Sequence, residues 1–213
     1  MNKEVEEVKS VDLRELKKKG KTPSRAQIMC KIKVKTRVAH DTLADYLEKG
    51  DNAYFLCTVI LRSRGHDEQA SLYKELIDNM FKEGFKELDE RIEQLEAIVA
   101  SDGLEDVDVE YTSPEELKLP VSTPCGRKII KLCEKADIFN ELISNLWING
   151  SFDDTQYQQA TKEVRSKIRR VCGRLISYGN KAREYKGTEA APEEKNQVEK
   201  ENATVSEVGA GNE

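Results

Sequence analysis

Lys31, Lys33, Lys35 and Arg37 occupy every second position of the run Lys31-Ile32-Lys33-Val34-Lys35-Thr36-Arg37-Val38. In a β-strand successive side chains point to opposite faces, so the four cations share one face. Ile32, Val34, Thr36 and Val38 take the other, and Ile28 and Cys30 extend it upstream. Such a strand can pack one side on a core and offer the other to a polyanion. The chemistry is recognition rather than catalysis: lysine and arginine donate to phosphate oxygens and to guanine O6 and N7 in the major groove, which admits a two-stranded β-ribbon. The same pattern has a plainer use, because lysines along a strand also keep a sheet edge from pairing with other chains. Lysine is a flexible point charge, so a row of lysines gives affinity more readily than discrimination.

Gly50-Asp51-Asn52 is the second feature. It reads as a turn that breaks one helix, with Asn52 as N-cap of the next, whose free amides can receive a phosphate. Strand, short helix, turn, helix over residues 28–64 resembles a ribbon-helix-helix module. A lone strand there would pair with its copy in a second subunit, making an intermolecular antiparallel ribbon with the homodimer as folding unit. Aligned with such modules, the base-facing positions fall on Lys33, Lys35 and Arg37 with Lys31 beside them, and the helix-start motif falls on Gly50, Asp51 and Asn52. The first helix, Thr42–Lys49 capped by Asp41, is about one turn shorter than usual, which affects the tilt of the second helix and its phosphate contact.

The net charge of −5 would argue against nucleic acid if it were spread evenly. It is segregated: from Leu16 to His40 there is no acidic residue, while Lys17, Lys18, Lys19, Lys21, Arg25 and the strand cations all fall inside. Binding follows the local field of a face, not the sum over the chain.

The elements that must hold this strand are mostly helical. A second helix runs from Asn52 to about Arg64, with Phe55, Leu56, Val59 and Ile60 as its buried stripe. Gly65-His66-Asp67 breaks the chain again and starts a long helix, whose Phe85, Leu88, Ile92, Leu95 and Val99 follow heptad spacing. Residues 101–119 are an acidic connector with a short strand expected at 107–111. Thr123-Pro124 is an N-cap and first helical position, Asn149-Gly150 a stop, and Asp153 or Asp154 the cap of a last helix carrying Tyr157, Ala160, Val164, Ile168, Val171 and Leu175. The expected organisation is a flexible basic arm (1–27), a ribbon-helix-helix-like module (28–65), a helical region (66–185) and a tail too polar to order itself (186–213). The fold class is α+β, mainly α-helical.

From about Lys31 to Tyr185 the chain also resembles the AcaB-type transcriptional regulators encoded by conjugative plasmids and integrative elements. The matching segments are Thr36-Arg37-Val38-Ala39-His40, Asn52-Ala53-Tyr54-Phe55-Leu56, Glu110-Tyr111-Thr112-Ser113-Pro114, Leu146-Trp147-Ile148-Asn149-Gly150 and Arg174-Leu175-Ile176, five in the right order. The resemblance implies a dimeric, ribbon-helix-helix-like DNA-binding regulator, an activator of conjugative-transfer genes.

Other chemistry is not indicated. The sequence shows no glycine-rich phosphate loop, no nucleophile paired with a histidine motif and no metal-ligand spacing, so neither enzyme activity nor a cofactor is expected. His40 and His66 adjoin helix starts and receive no role, and Trp147 reads as core. The five scattered cysteines read as reduced, buried residues. Lys162, Arg165, Arg169, Arg170 and Arg174, with Lys181 and Arg183 beyond, could extend a phosphate footprint but read more simply as a solvated face paired with acids. Without an apolar run of membrane length or a signal peptide, the expected place is the cytoplasm, and the expected partner is double-stranded DNA. The rival from another class is a helical scaffold that binds protein partners.

Overall fold

The computed structural model describes residues 25–107 and 109–186. Strand β1 (Ile28–Val34) pairs antiparallel with β2 (Glu115–Val121) of the same chain, in the register Ile28↔Val121 through Val34↔Glu115. Helix α1 begins as Arg37–Phe55, passes through a π-helical segment (Leu56–Ile60) and ends in Leu61–Ser63. Helices α2 (Asp67–Ser101), α3 (Pro124–Ile148) and α4 (Asp154–Glu184) complete it. The class is α+β and mainly helical, with one small antiparallel sheet. No helix among the described residues is long and apolar enough to cross a membrane.

Several sequence signals act as expected. Pro124 follows the cap Thr123, whose hydroxyl accepts from the Cys125 amide at 3.2 Å. Asp153 and Gln156 form a reciprocal capping box at the start of α4. Leu88, Ile92, Leu95 and Val99 bury the α2 seam, with Phe85 partly buried against it.

Four expectations are corrected. The strand ends at Val34, not Val38, because the Asp137 carboxylate of α3 takes the Lys35 and Thr36 amides (2.8 and 3.0 Å) and Thr36 caps a helix starting at Arg37. Gly50-Asp51-Asn52 is not a turn but lies inside α1. A Cβ on Gly50 would stand 2.5 Å from Ile129 Cδ1 and 3.0 Å from Leu175 Cδ2, so the glycine permits close approach of α3 and α4 rather than a break. The second strand is 115–121, not 107–111. Finally, the ribbon is not intermolecular: the partner of β1 is β2, so the sequence argument for a homodimer built on the strand falls away. The ribbon-helix-helix module expected within 28–65 is therefore absent in that form. The arm up to residue 24 and the tail from residue 187 lie outside the described residues.

The chain instead contains two strand–helix–helix halves. The starts of β1, α1 and α2 at 28, 37 and 67 recur at 115, 124 and 154, each 87 residues on. The strands repeat the same alternation of exposed and covered positions. In the ribbon Lys31 faces Lys118, and these are also the equivalent residues of the two halves, so a pseudo-two-fold axis passes between them. The halves interlock: α1 packs on α3 and α4, and α2 packs on α3 and α4. Each half also caps the other. Asp137 of α3 holds the Lys35 and Thr36 amides, and accepts from the Thr36 hydroxyl at 2.6 Å. Asp51 of α1 holds the Ser122 and Thr123 amides (2.9 and 3.0 Å), and accepts from the Thr123 hydroxyl at 2.5 Å. Both carboxylates are buried.

Cys57, Cys125, Cys133 and Cys172 are buried free thiols, and Cys30 is half-buried. Burial pushes the Cys57 and Cys172 thiols up from 9 to about 12, and raises those of Cys125 and Cys133 as well. A raised thiol pKa means the folded state holds its proton more tightly than the unfolded chain. The associated stability is present below the ordinary thiol range and declines as pH climbs from 9 towards 12. A thiol-reactive chromophore at neutral pH is expected to modify Cys30 rapidly, and the four buried cysteines only at the rate of unfolding. Rapid labelling of a second cysteine would contradict this packing.

Candidate nucleic-acid interface

The ribbon has a covered and an open face. Cys30, Ile32 and Val34 of β1, with Leu117, Leu119 and Val121 of β2, turn towards the helices and are buried or partly buried. The open face carries Met29, Lys31 and Lys33 on one strand and Glu116, Lys118 and Pro120 on the other. Cross-strand neighbours on it are Met29 with Pro120, Lys31 with Lys118, and Lys33 with Glu116. Both strands of a two-stranded sheet are edges, so Pro120 is tolerated without a backbone donor. Among the described residues, Lys31, Lys33 and Lys118 make no ion pair and remain exposed.

Two of the four aligned cations leave this face. Lys35 lies beyond the strand, and its Nζ is 2.7 Å from Glu141 Oε2 in a half-exposed ion pair. Arg37 is the first residue of α1, 88% exposed, with its guanidinium 3.7 Å from the Asp41 carboxylate. Lys31 and Lys33 stay where the alternation placed them. Gly50 and Asp51 are buried inside the helical assembly and are unavailable to a phosphate. Asn52 is exposed but not a cap: its side-chain oxygen accepts from the Arg25 guanidinium at 2.8 Å, and that guanidinium lies 3.8 Å from the Phe55 ring centroid. The helix-start phosphate anchor expected of Gly50-Asp51-Asn52 is thus corrected, because tertiary packing keeps α1 continuous through these residues.

Lys118 and Glu116 were missed. The alternation Leu117, Leu119, Val121 marks a strand, and the Thr123-Pro124 cap after it mirrors Thr36-Arg37 after β1. The acidic run at 105–116 and Pro120 disguised it as connector.

The basic side of α4 is only partly paired: of the seven cations expected there, Arg165 and Arg170 have an acidic partner, and Lys162, Arg169, Arg174, Lys181 and Arg183 make no ion pair among the described residues. Arg170 and Lys167 each lie 3.7 Å from Glu87 of α2, and Arg165 is 3.9 Å from Asp41. Arg169, Arg174, Lys181 and Arg183 are exposed. Trp147 is not core: it is 42% exposed, stacked on Tyr157 with its indole N–H donating to Asp154 at 2.8 Å.

No family model matches the chain, and neither does any curated protein. Among solved structures, the crystal structure of AcaB from uropathogenic E. coli is similar in fold, with a TM-score of 0.70 at 24% identity, over 75% of this chain and 82% of that one. At that identity the likeness speaks for the fold alone.

Proposed function

We propose that the protein binds duplex DNA by laying the open face of its β1–β2 ribbon in the major groove, and that it acts as a transcriptional regulator rather than an enzyme. One observation carries this reading: three exposed cations with no ion-pair partner among the described residues, Lys31, Lys33 and Lys118, sit together on the solvent side of a two-stranded ribbon whose other side is covered by helices. Lys31 and Lys118 are directly opposed across the strands, and like charges held opposite one another are destabilising, which protection of an edge does not require. Strand–helix–helix order in each half is also the order by which ribbon-helix-helix proteins present a ribbon to DNA. The sequence resemblance to AcaB-type regulators extends the reading to activation of conjugative-transfer genes in the cytoplasm. A homodimer remains compatible with it, through a surface other than the ribbon.

The rival reading, a helical scaffold, draws on Ile138, Trp147 and Ile148 of α3, all exposed and apolar. The two separate on one titration. Wild-type protein is expected to bind random duplex DNA at low salt, with affinity falling steeply as salt rises. The triple change Lys31→Ala, Lys33→Ala and Lys118→Ala is expected to weaken binding by about a hundredfold with the circular dichroism unchanged, since tens-fold losses are common for single base contacts. Lys35→Ala is expected to leave binding within about twofold, because that ammonium is already held by Glu141. Unchanged affinity in the triple variant removes the ribbon from the reading. No binding to any duplex at low salt favours the scaffold.

A further inference from the structure

The open face of the ribbon is symmetric in backbone but not in chemistry. The pseudo-two-fold axis between Lys31 and Lys118 relates Met29 to Glu116 and Lys33 to Pro120. One end of the face therefore carries Met29 beside Pro120, both uncharged and without side-chain hydrogen-bonding groups. The other end carries Lys33 beside Glu116, one donor and one acceptor, in register across the two strands. A ribbon assembled from two identical chains would have identical ends. This one, built within a single chain, does not.

We propose that a single chain reads an asymmetric DNA site, with Glu116 and Lys33 as the specificity-determining pair at one end and the Met29–Pro120 end selecting apolar base edges. This rests on the ribbon being the DNA-binding face. The recognition chemistry follows from the groove. At the polar end Lys33 donates to guanine O6 and N7, while Glu116 accepts from the cytosine N4 amino group; side by side they fit the edge of a G·C pair or of adjacent G and C bases. Glu116 also works by exclusion, since a carboxylate facing an acceptor such as guanine N7 or thymine O4 is repelled. At the other end Met29 and Pro120 offer only apolar contact, which suits the thymine methyl group. The central lysines, related by the axis, contact equivalent positions on the two DNA strands. Glu116 lowers the net positive charge of the face, so a ribbon serving only non-specific attraction would gain nothing from it.

The experiment is selection of bound duplexes from a random pool, restricted to complexes containing one chain per duplex as measured by native mass spectrometry. Three full-length proteins are compared: wild type, Glu116→Gln, and the double variant Glu116→Met with Pro120→Lys. The double variant places Met, Lys and Lys at equivalent open-face positions of both strands. All the changed side chains are exposed, so the fold is expected to persist, and thermal melts verify it. Wild type is expected to select a non-palindromic site with a G·C preference at one end only. Glu116→Gln is expected to relax that preference by about tenfold, leaving affinity for random DNA unchanged or slightly raised. The double variant is expected to select a palindrome. A palindromic wild-type site, or the same site for all three proteins, overturns the asymmetric reading while leaving DNA binding by the ribbon intact. Absence of binding by wild type overturns the proposed function itself, and this inference with it.

Discussion

Asp137→Ala is expected to lower the free energy of unfolding by about 3 kcal/mol or more, and Asp51→Ala by a similar amount. Each carboxylate is buried and accepts from two backbone amides and one threonine hydroxyl. Those amides sit at the junction between a strand and the helix after it, where the chain leaves sheet geometry and cannot satisfy them within the helix. Alanine leaves the amides without an acceptor and opens a small cavity, and each unsatisfied group costs about 1–3 kcal/mol. Asparagine, of the same shape with one acceptor oxygen, is expected to recover part of the loss. Asp41→Ala is the control. That carboxylate is 46% exposed and its contacts with Arg37 and Arg165 are 3.7 and 3.9 Å, so its removal is expected to cost at most about 1 kcal/mol. Urea unfolding followed by circular dichroism measures every one of these variants. A loss below about 1 kcal/mol for either buried aspartate would mean that water replaces the carboxylate and that the reciprocal capping is incidental.

How much of this was legible in the sequence depends on whether the signal was local. The Thr123-Pro124 cap, a cap at Asp153 or Asp154, the heptad of α2 and the covered stripe of α4 are written in residues a few positions apart, and all of them appear, the α4 cap falling on Asp153. The errors lie where distant residues decide. Gly50-Asp51-Asn52 carries every local mark of a helix break, yet Gly50 is there to let Ile129 and Leu175 approach, and Asp51 to cap α3 some seventy residues away. Alternation at Thr36-Arg37-Val38 suits a strand and also suits the first turn of a helix whose Val38 points inward. Asp137 selects the second by taking the amides that would have continued the ladder. Of the candidate site, Lys31 and Lys33 were legible because their alternation is local. The partner strand was not, because strand pairing at a separation of 87 residues leaves no mark at either strand beyond its own alternation.

Cleaving the chain between its halves is expected to have the largest effect on folding. A fragment ending at residue 107 keeps β1, α1 and α2; the remainder keeps β2, α3 and α4. Neither fragment retains a partner for its strand, and a single strand or lone hairpin has little stability in water. Each also loses the aspartate that caps its first helix, since that residue belongs to the other half. The helix faces are equally divided: α1 and α2 bury their apolar sides mainly on α3 and α4, so a separated half leaves Phe81, Leu88, Ile129 and Phe139 without much of their cover. Separately purified, the fragments are expected to show weak, non-cooperative thermal transitions. Mixed in equal amounts, they are expected to form a one-to-one complex that melts cooperatively, because the described residues between Ser101 and Glu115 hold no helix or strand. The pseudo-symmetry sharpens the comparison. A half resembling its partner in outline can attempt to pair with itself, but Gly50 faces Ile129 and Leu175, while Gly179 lies against Ala53 closely enough that a Cβ would stand 2.5 Å from the alanine methyl. These contacts fit one half to the other rather than to its own copy, so the mixed complex is expected to displace any self-pairing. Cooperative folding of either fragment as a monomer would show that the halves are independent domains, and that the interlocked ribbon and crossed caps are a consequence of the fold rather than its basis.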